Sequence, residues 1–190
     1  ENDSIANNAA IFAKATADTG STGVTATLLG ASATLINSTA EARAKAIEGG
    51  EGNDSITNSG TVVAIAESYA DTVGVSVAGL GAAFTGDQWG ENTLASATAI
   101  GISGGEGNDT ITNSGDIAAT ATSDTDAATV AVTLVGYNDA EGETTSAATA
   151  VGIAGGDGND TIANSGDITT TSISSAEANS VSVTLAGAAP

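Results

Sequence analysis

Three stretches of the chain set an aspartate at the sixth position of a glycine-rich turn. Gly49 to Thr57 reads G-G-E-G-N-D-S-I-T, Gly104 to Thr112 reads G-G-E-G-N-D-T-I-T, and Gly155 to Ala163 reads G-G-D-G-N-D-T-I-A. Glycines allow the backbone to curl so that carbonyl oxygens face one point, and the aspartate adds a carboxylate. An oxygen-only shell of that kind suits a hard cation, calcium above all. The apolar residue that follows each aspartate, Ile56, Ile111 or Ile162, is placed to anchor the next strand in a core. A tight acidic corner with no metal is the plainer reading of the same residues.

Each nonapeptide matches the pattern G-G-x-G-x-D-x-U-x, where U is apolar, and in this the chain resembles the repeats-in-toxin (RTX) family of secreted β-roll proteins. That resemblance implies bound Ca2+, with Asp54, Asp109 and Asp160 as side-chain ligands. It also implies that the backbone carbonyls of Gly49, Glu51, Gly104, Glu106, Gly155 and Asp157 complete the shells. Glu1-Asn2-Asp3 keeps the aspartate without the glycine turn. In the family the motif runs in tandem, whereas here it occurs once in a much longer unit, so the resemblance covers the three nonapeptides and not the roll as a whole. The phrase Asn-Ser-Gly-x-Ile is also similar to strand-turn repeats of autotransporter passengers and filamentous adhesins, another secreted solenoid class.

Those turns recur because the whole chain does. The aspartates at 3, 54, 109 and 160 are spaced by 51, 55 and 51 residues, and a glycine follows each by 27 residues, at Gly30, Gly81, Gly136 and Gly187. The units therefore run 1–51, 52–106, 107–157 and, in part, 158–190 of one continuous array. The four extra residues of the second unit lie beyond Gly81, within FTGDQWGENT, where a projecting loop with the single Trp is expected.

Aligned columns read as strands. Val24, Val75, Val130 and Val181 alternate with Thr25, Ser76, Ala131 and Ser182, the period of a half-buried strand whose β-branched side would face inward. Ala44, Ala99 and Ala150 share a face with Ala46, Gly101 and Gly152, small enough for close packing on another sheet. Ile5, Ile56, Ile111 and Ile162 precede an Asn-Ser-Gly-type turn and Ile11, Val62, Ile117 and Ile168 follow it. Asn7, Asn58, Asn113 and Asn164 do not vary, which fits an amide ladder running from coil to coil.

A unit that cannot bury its apolar face alone stacks on its neighbours, so the expected fold is all-β, a repetitive β-solenoid of stacked coils with a repeat of 51 residues. A β-sandwich of hairpins is the competing fold. Because small side chains cannot fill a wide interior, two coils of about 25 residues per unit are favoured over one large coil.

Composition narrows the function. Cys, His and Met are absent, and aromatic residues make up 3% of the chain, so disulfides, thiol and imidazole catalysis and soft-ligand metal sites drop out. With 23 acidic residues against 3 basic ones, the net charge of −20 opposes nucleic acid and anionic membranes, and no apolar run is long enough for membrane insertion.

The expected role is thus a non-enzymatic, secreted structural or adhesive repeat protein of the extracellular surface, self-associating end to end into a fibre or matrix. The chain opens inside a unit and stops after the Val181 strand, which reads as an excised or processed segment with uncapped ends. An adhesin segment presenting a Thr-rich face, such as Thr25 with Thr27 or Thr133 with Thr184, to a glycan, mineral or ice is the alternative. A polysaccharide-acting β-helix enzyme is a remote third, since Lys14, Arg43 and Lys45 are the only cations. Sequons such as Asn2-Asp3-Ser4 and Asn53-Asp54-Ser55 leave glycosylation open.

Overall fold

The computed structural model describes residues 1–86 and 93–188, and these form a β-solenoid with no helix. Each unit supplies a short strand, a long strand and a medium strand. The first has β1 (Ser4–Asn7), β2 (Ile11–Thr34) and β3 (Thr39–Glu51). The second has β4 (Ser55–Asn58), β5 (Val62–Thr85) and β6 (Thr93–Glu106), and the third has β7 (Thr110–Asn113), β8 (Ile117–Ala140) and β9 (Thr144–Asp157). The last adds β10 (Thr161–Asn164) and β11 (Ile168–Ala188). Like strands stack in three parallel sheets, ordered β1-β4-β7-β10, β2-β5-β8-β11 and β3-β6-β9. Pairing is in register: Asn7 lies beside Asn58, Asn58 beside Asn113, and Asn113 beside Asn164. Parallel pairing throughout excludes the hairpin sandwich.

Strand neighbours lie 51 or 55 residues apart, so each unit is one coil, and the expectation of two coils of about 25 residues is overturned. The coil accommodates small side chains by flattening instead of shortening. The medium strands lie directly on the long ones through small side chains, with Ala42, Ala44, Ala97 and Ala99 against Ala64, Ala66, Ala119 and Ala121, and with Ser68 and Ser123 donating across to the Ala40 and Ala95 carbonyls at 2.9 and 2.8 Å. At one end the short strands form a third wall, and the interior there is filled by one apolar residue per wall: Ile47, Ile56 and Val62, then Ile102, Ile111 and Ile117. A Cβ at Gly101 would meet Ile117 Cγ2, which explains why the small face of β6 loses even its methyl at this point.

At the opposite end each long strand bends at a glycine with φ of +107°, +135° or +141° (Gly30, Gly81, Gly136) and folds back on itself. The interior of this fold-back is lined with hydroxyls. Thr25 Oγ1 lies 2.8 Å from Ser32 Oγ and 2.6 Å from Thr34 Oγ1, and Ser76 donates to the Ser32 carbonyl at 3.0 Å. The face assignment of this segment is therefore the reverse of the one expected. Ser76, Ala131 and Thr133 are buried, while Val24 is 69% exposed and Val77, Val181 and Val183 also face solvent. The gap inside the fold-back is too narrow for rows of valine, and hydroxyls can enter it because they bond to one another and to backbone carbonyls.

The projecting loop expected around Trp89 falls mainly on residues 87–92, outside the described residues.

Candidate cation site at the acidic turns

The acidic turn joins each medium strand to the next short strand, and its three glycines are required for three different reasons. Gly50 and Gly52 take φ of +105° and +130°, as do their counterparts at 105, 107, 156 and 158 within a few degrees of arc, so the corner itself needs them. Gly49 has an ordinary φ. It is glycine because a methyl there would be driven into Asp54 Oδ2 and the carbonyl oxygen of Gly104 in the next coil. Gly104 is hemmed in the same way by Asp109 Oδ2 and the Gly155 carbonyl, and Gly155 by Asp160 Oδ2.

The aspartates form a row along the solenoid axis. The backbone N–H of Asp3 donates to Asp54 Oδ1 at 2.6 Å, that of Asp54 to Asp109 Oδ1 at 2.7 Å, and that of Asp109 to Asp160 Oδ1 at 2.9 Å. Each carboxylate thus spends one oxygen on tying its coil to the preceding one. Asp54 is 2% exposed and Asp109 1%, and the second oxygen of each, Oδ2, is sealed from solvent with no hydrogen-bond partner. Carboxylates on adjacent parallel strands sit about 4.8 Å apart. At that spacing two negative charges repel by about 3 kcal/mol at an effective dielectric of about 20. A row of this kind calls for a counter-charge.

The residues expected to hold calcium are only partly brought together. Asp54 Oδ2 packs on Gly49 beside the carbonyl of Gly104, and Asp109 Oδ2 packs on Gly104 beside the carbonyl of Gly155. The carbonyls of Glu51, Glu106 and Asp157 are engaged elsewhere. They accept from the amino terminus of Glu1 at 2.7 Å, from the Gly52 N–H at 2.8 Å and from the Gly107 N–H at 2.8 Å. Their carboxylates stand in register on the outside of the corner, along a groove that also contains Lys45 and Glu48. Among the described residues no three acidic side chains are grouped to hold a metal. Asp54 Oδ2 and Asp109 Oδ2 are the unpartnered buried side-chain oxygens of these turns, far short of the six to eight oxygens that Ca2+ takes.

Two further ladders flank the aspartates. Asn7, Asn58 and Asn113 each donate from Nδ2 to Oδ1 of the asparagine in the next coil, at 2.7, 2.6 and 2.6 Å, and with their second N–H to a carbonyl two residues on. Asn2, Asn53 and Asn108 accept through Oδ1 from the backbone N–H of Asn53, Asn108 and Asn159, at 2.8, 2.7 and 2.9 Å. The first ladder is legible in the invariant asparagine. The second was missed, although its signal, the Asn before every turn aspartate, lies in plain view.

The surface reading built on threonine does not survive the burial pattern. Thr133 is buried and donates to the Tyr137 carbonyl at 2.9 Å, Thr184 donates to Asn138 Oδ1 at 2.8 Å, and Thr25 lies in the hydroxyl zipper of the fold-back. They are stacked inward, as hydroxyls must be where the cavity is too thin for valine.

A second acidic group lies on the outer face of the long sheet, where Asp71, Asp126 and Glu177 stand in register with Asp18 and Asp124 beside them. Burial, and then the charges of Asp126, Asp18 and Asp124, hold the Asp71 carboxyl above the usual 3.8. No protein-family model matches the chain, and comparison with curated proteins and with solved structures found no match.

Proposed function

We propose that the chain is a segment of an extracellular structural or adhesive repeat protein, whose coils continue into a fibre or matrix and are pinned by calcium at the aspartate row. The observation that carries this reading is the in-register recurrence of the ladders. Every coil offers its neighbour the same N–H, carboxylate and amide groups that it receives from the other side. The edges at β2 and β11 are rows of unpaired backbone groups of the kind that template another strand. The surface that fits them best is a further coil of the same repeat, whether from the same polypeptide or from another copy.

Calcium suits the role because a cation between Asp54 Oδ2 and the Gly104 carbonyl would bridge two coils and cancel the repulsion along the row. The resemblance to RTX proteins and to autotransporter or filamentous adhesins rests on the nonapeptides and the Asn-Ser-Gly turns. That resemblance is what supports a location outside the cell. An enzymatic role finds less support, since Lys14 pairs with Glu67, Arg43 with Glu41 and Lys45 with Glu48, leaving no cation among the described residues to serve a uronate.

Negative-stain electron microscopy of the 190-residue chain in millimolar calcium and after chelation tests the reading. Fibres that dissolve on chelation support it in full, and fibres that persist remove the metal from it. Compact particles in both conditions count against association between copies.

A further inference from the structure

The reversal of the long strands leaves a broad apolar surface with nothing on it. Val24, Val75, Val130 and Val181 stack in register on the outer face. Two residues further along, Ala26, Val77, Val132 and Val183 form the next row, and Leu28, Leu134 and Leu185, with Gly79 in the second coil, lie at the brink of the glycine bend. Val24 is 69% exposed and Leu28 80%. In a chain of net charge −20, the segments 22–30, 73–81, 128–136 and 179–187 contain no Asp, Glu, Lys or Arg. Four strands at about 4.8 Å spacing and eight residues at about 3.3 Å rise give this face roughly 500 Å². That is within the range of the largest apolar patch on an ordinary monomer, about 300–600 Å², which is often functional, and each further coil would enlarge it.

We propose that this face is a lateral docking surface for a second copy of the chain, packed sheet on sheet with its strands antiparallel about a two-fold axis. Its rows repeat at the coil spacing, so a surface with the same repeat can interdigitate with them, and another solenoid has one. The burial of about 500 Å² per copy falls short of the roughly 800 Å² per partner of a stable dimer. Four coils therefore give a weak, concentration-dependent contact, and each added coil extends the interface by one more row.

The charge distribution fixes the orientation. Asp71, Asp126 and Glu177 border the apolar rows on their upstream side, two residues before Val73, Ala128 and Asn179. Strands packed in the same direction would bring the two acidic borders together, whereas the antiparallel arrangement sets each against the uncharged glycine bend of its partner. This contact is independent of end-to-end growth, because it uses the outer sheet face and not the strand edges.

The test is analytical ultracentrifugation of the chain up to about 1 mM, the range in which so small an interface associates. Association should strengthen with added sodium chloride, since salt screens the repulsion between acidic copies. Val77→Asp, at the centre of the face, should reduce self-association at least tenfold. Thr98→Asp, which adds the same charge to the outer face of β6, should leave it unchanged. A single Val77→Cys in this cysteine-free chain should oxidise to a covalent dimer, whereas Thr98→Cys should not. In micrographs Val77→Asp should turn paired fibres into single ones without abolishing them, which separates this proposal from failure of the end-to-end reading. A strictly monomeric chain at high salt overturns the proposal, as do equal effects of the two aspartates. Val77-dependent binding to phosphatidylcholine vesicles without self-association assigns the face to lipid and overturns it as well.

Discussion

Replacing Asn58 with alanine removes one rung from the middle of a buried ladder. Asn58 is fully buried; its amide donates to the Gly60 carbonyl at 2.9 Å and to Asn113 Oδ1 at 2.6 Å, and accepts from Asn7 at 2.7 Å. The alanine variant strands Asn113 Oδ1, on a buried residue, and leaves the half-buried Gly60 carbonyl without its side-chain partner. At about 1–3 kcal/mol for the buried group and about 1 kcal/mol for the half-buried one, the expected loss is about 2–4 kcal/mol. Asn164 provides the control, because it makes the same turn bond, to Gly166 at 2.8 Å, in the last coil, where it is exposed. Asn164→Ala removes that exposed turn bond, which water can replace, and the Oδ1 that accepts from Asn113 Nδ2 at 2.6 Å, so its cost should be about 1–2 kcal/mol, below that of Asn58→Ala. Urea denaturation measures both. Hydrogen exchange at the turn amides checks whether unfolding spreads from the altered coil, since stacked repeats need not unfold as one unit. Equal losses in the two variants would refute the reasoning, for they would mean that asparagine matters only as a turn former.

Gly49→Ala should be more damaging than its half-buried setting suggests, about 2 kcal/mol or more, because the methyl meets a carboxylate and a backbone carbonyl that cannot both retreat; Gly20→Ala, where nothing stands near the added carbon, should be almost neutral in the same melt. Calcium at 1,000 times its dissociation constant should add about 4 kcal/mol of stability, and Asp109→Asn should abolish that gain, as read by calorimetry with and without chelator. Asp71 has its carboxyl raised in the fold by burial and by Asp126, Asp18 and Asp124, so its charged form opposes folding. The destabilisation is absent below pH 3.8 and sets in as pH rises through 3.8 towards the raised value. Asp71→Asn should therefore stabilise the chain slightly at pH 7 and not at pH 3, in denaturant melts at the two pH values.

The solenoid, its period and its apolar corner were legible because register leaves a mark in sequence: Ile56, Ile111 and Ile162 recur at the same place since each lies on the last. The asparagine ladder was legible for the same reason. The number of coils per unit was not, because composition limits the thickness of an interior but not its length, and a flattened coil of alanines satisfies the same constraint as a short one. The Val24 face was misread because alternation shows that a strand has two sides without showing which is wet. Hydrophobicity settles that question only where the interior can hold valine, and in the Gly30 fold-back it cannot. At the acidic turns the glycine pattern showed where the chain corners, but not that Asp54 Oδ1 is taken by the backbone N–H of Asp3, because no spacing within one nonapeptide can reveal a neighbour 51 residues away.

The most direct test of the central claim, that like coils complete one another along the axis, is the helical rise of fibres grown from this chain and measured by cryo-electron microscopy. Four coils at about 4.8 Å predict about 19 Å per copy, with strands perpendicular to the fibre axis. A rise unrelated to multiples of that strand spacing, or strands running along the axis, would contradict it.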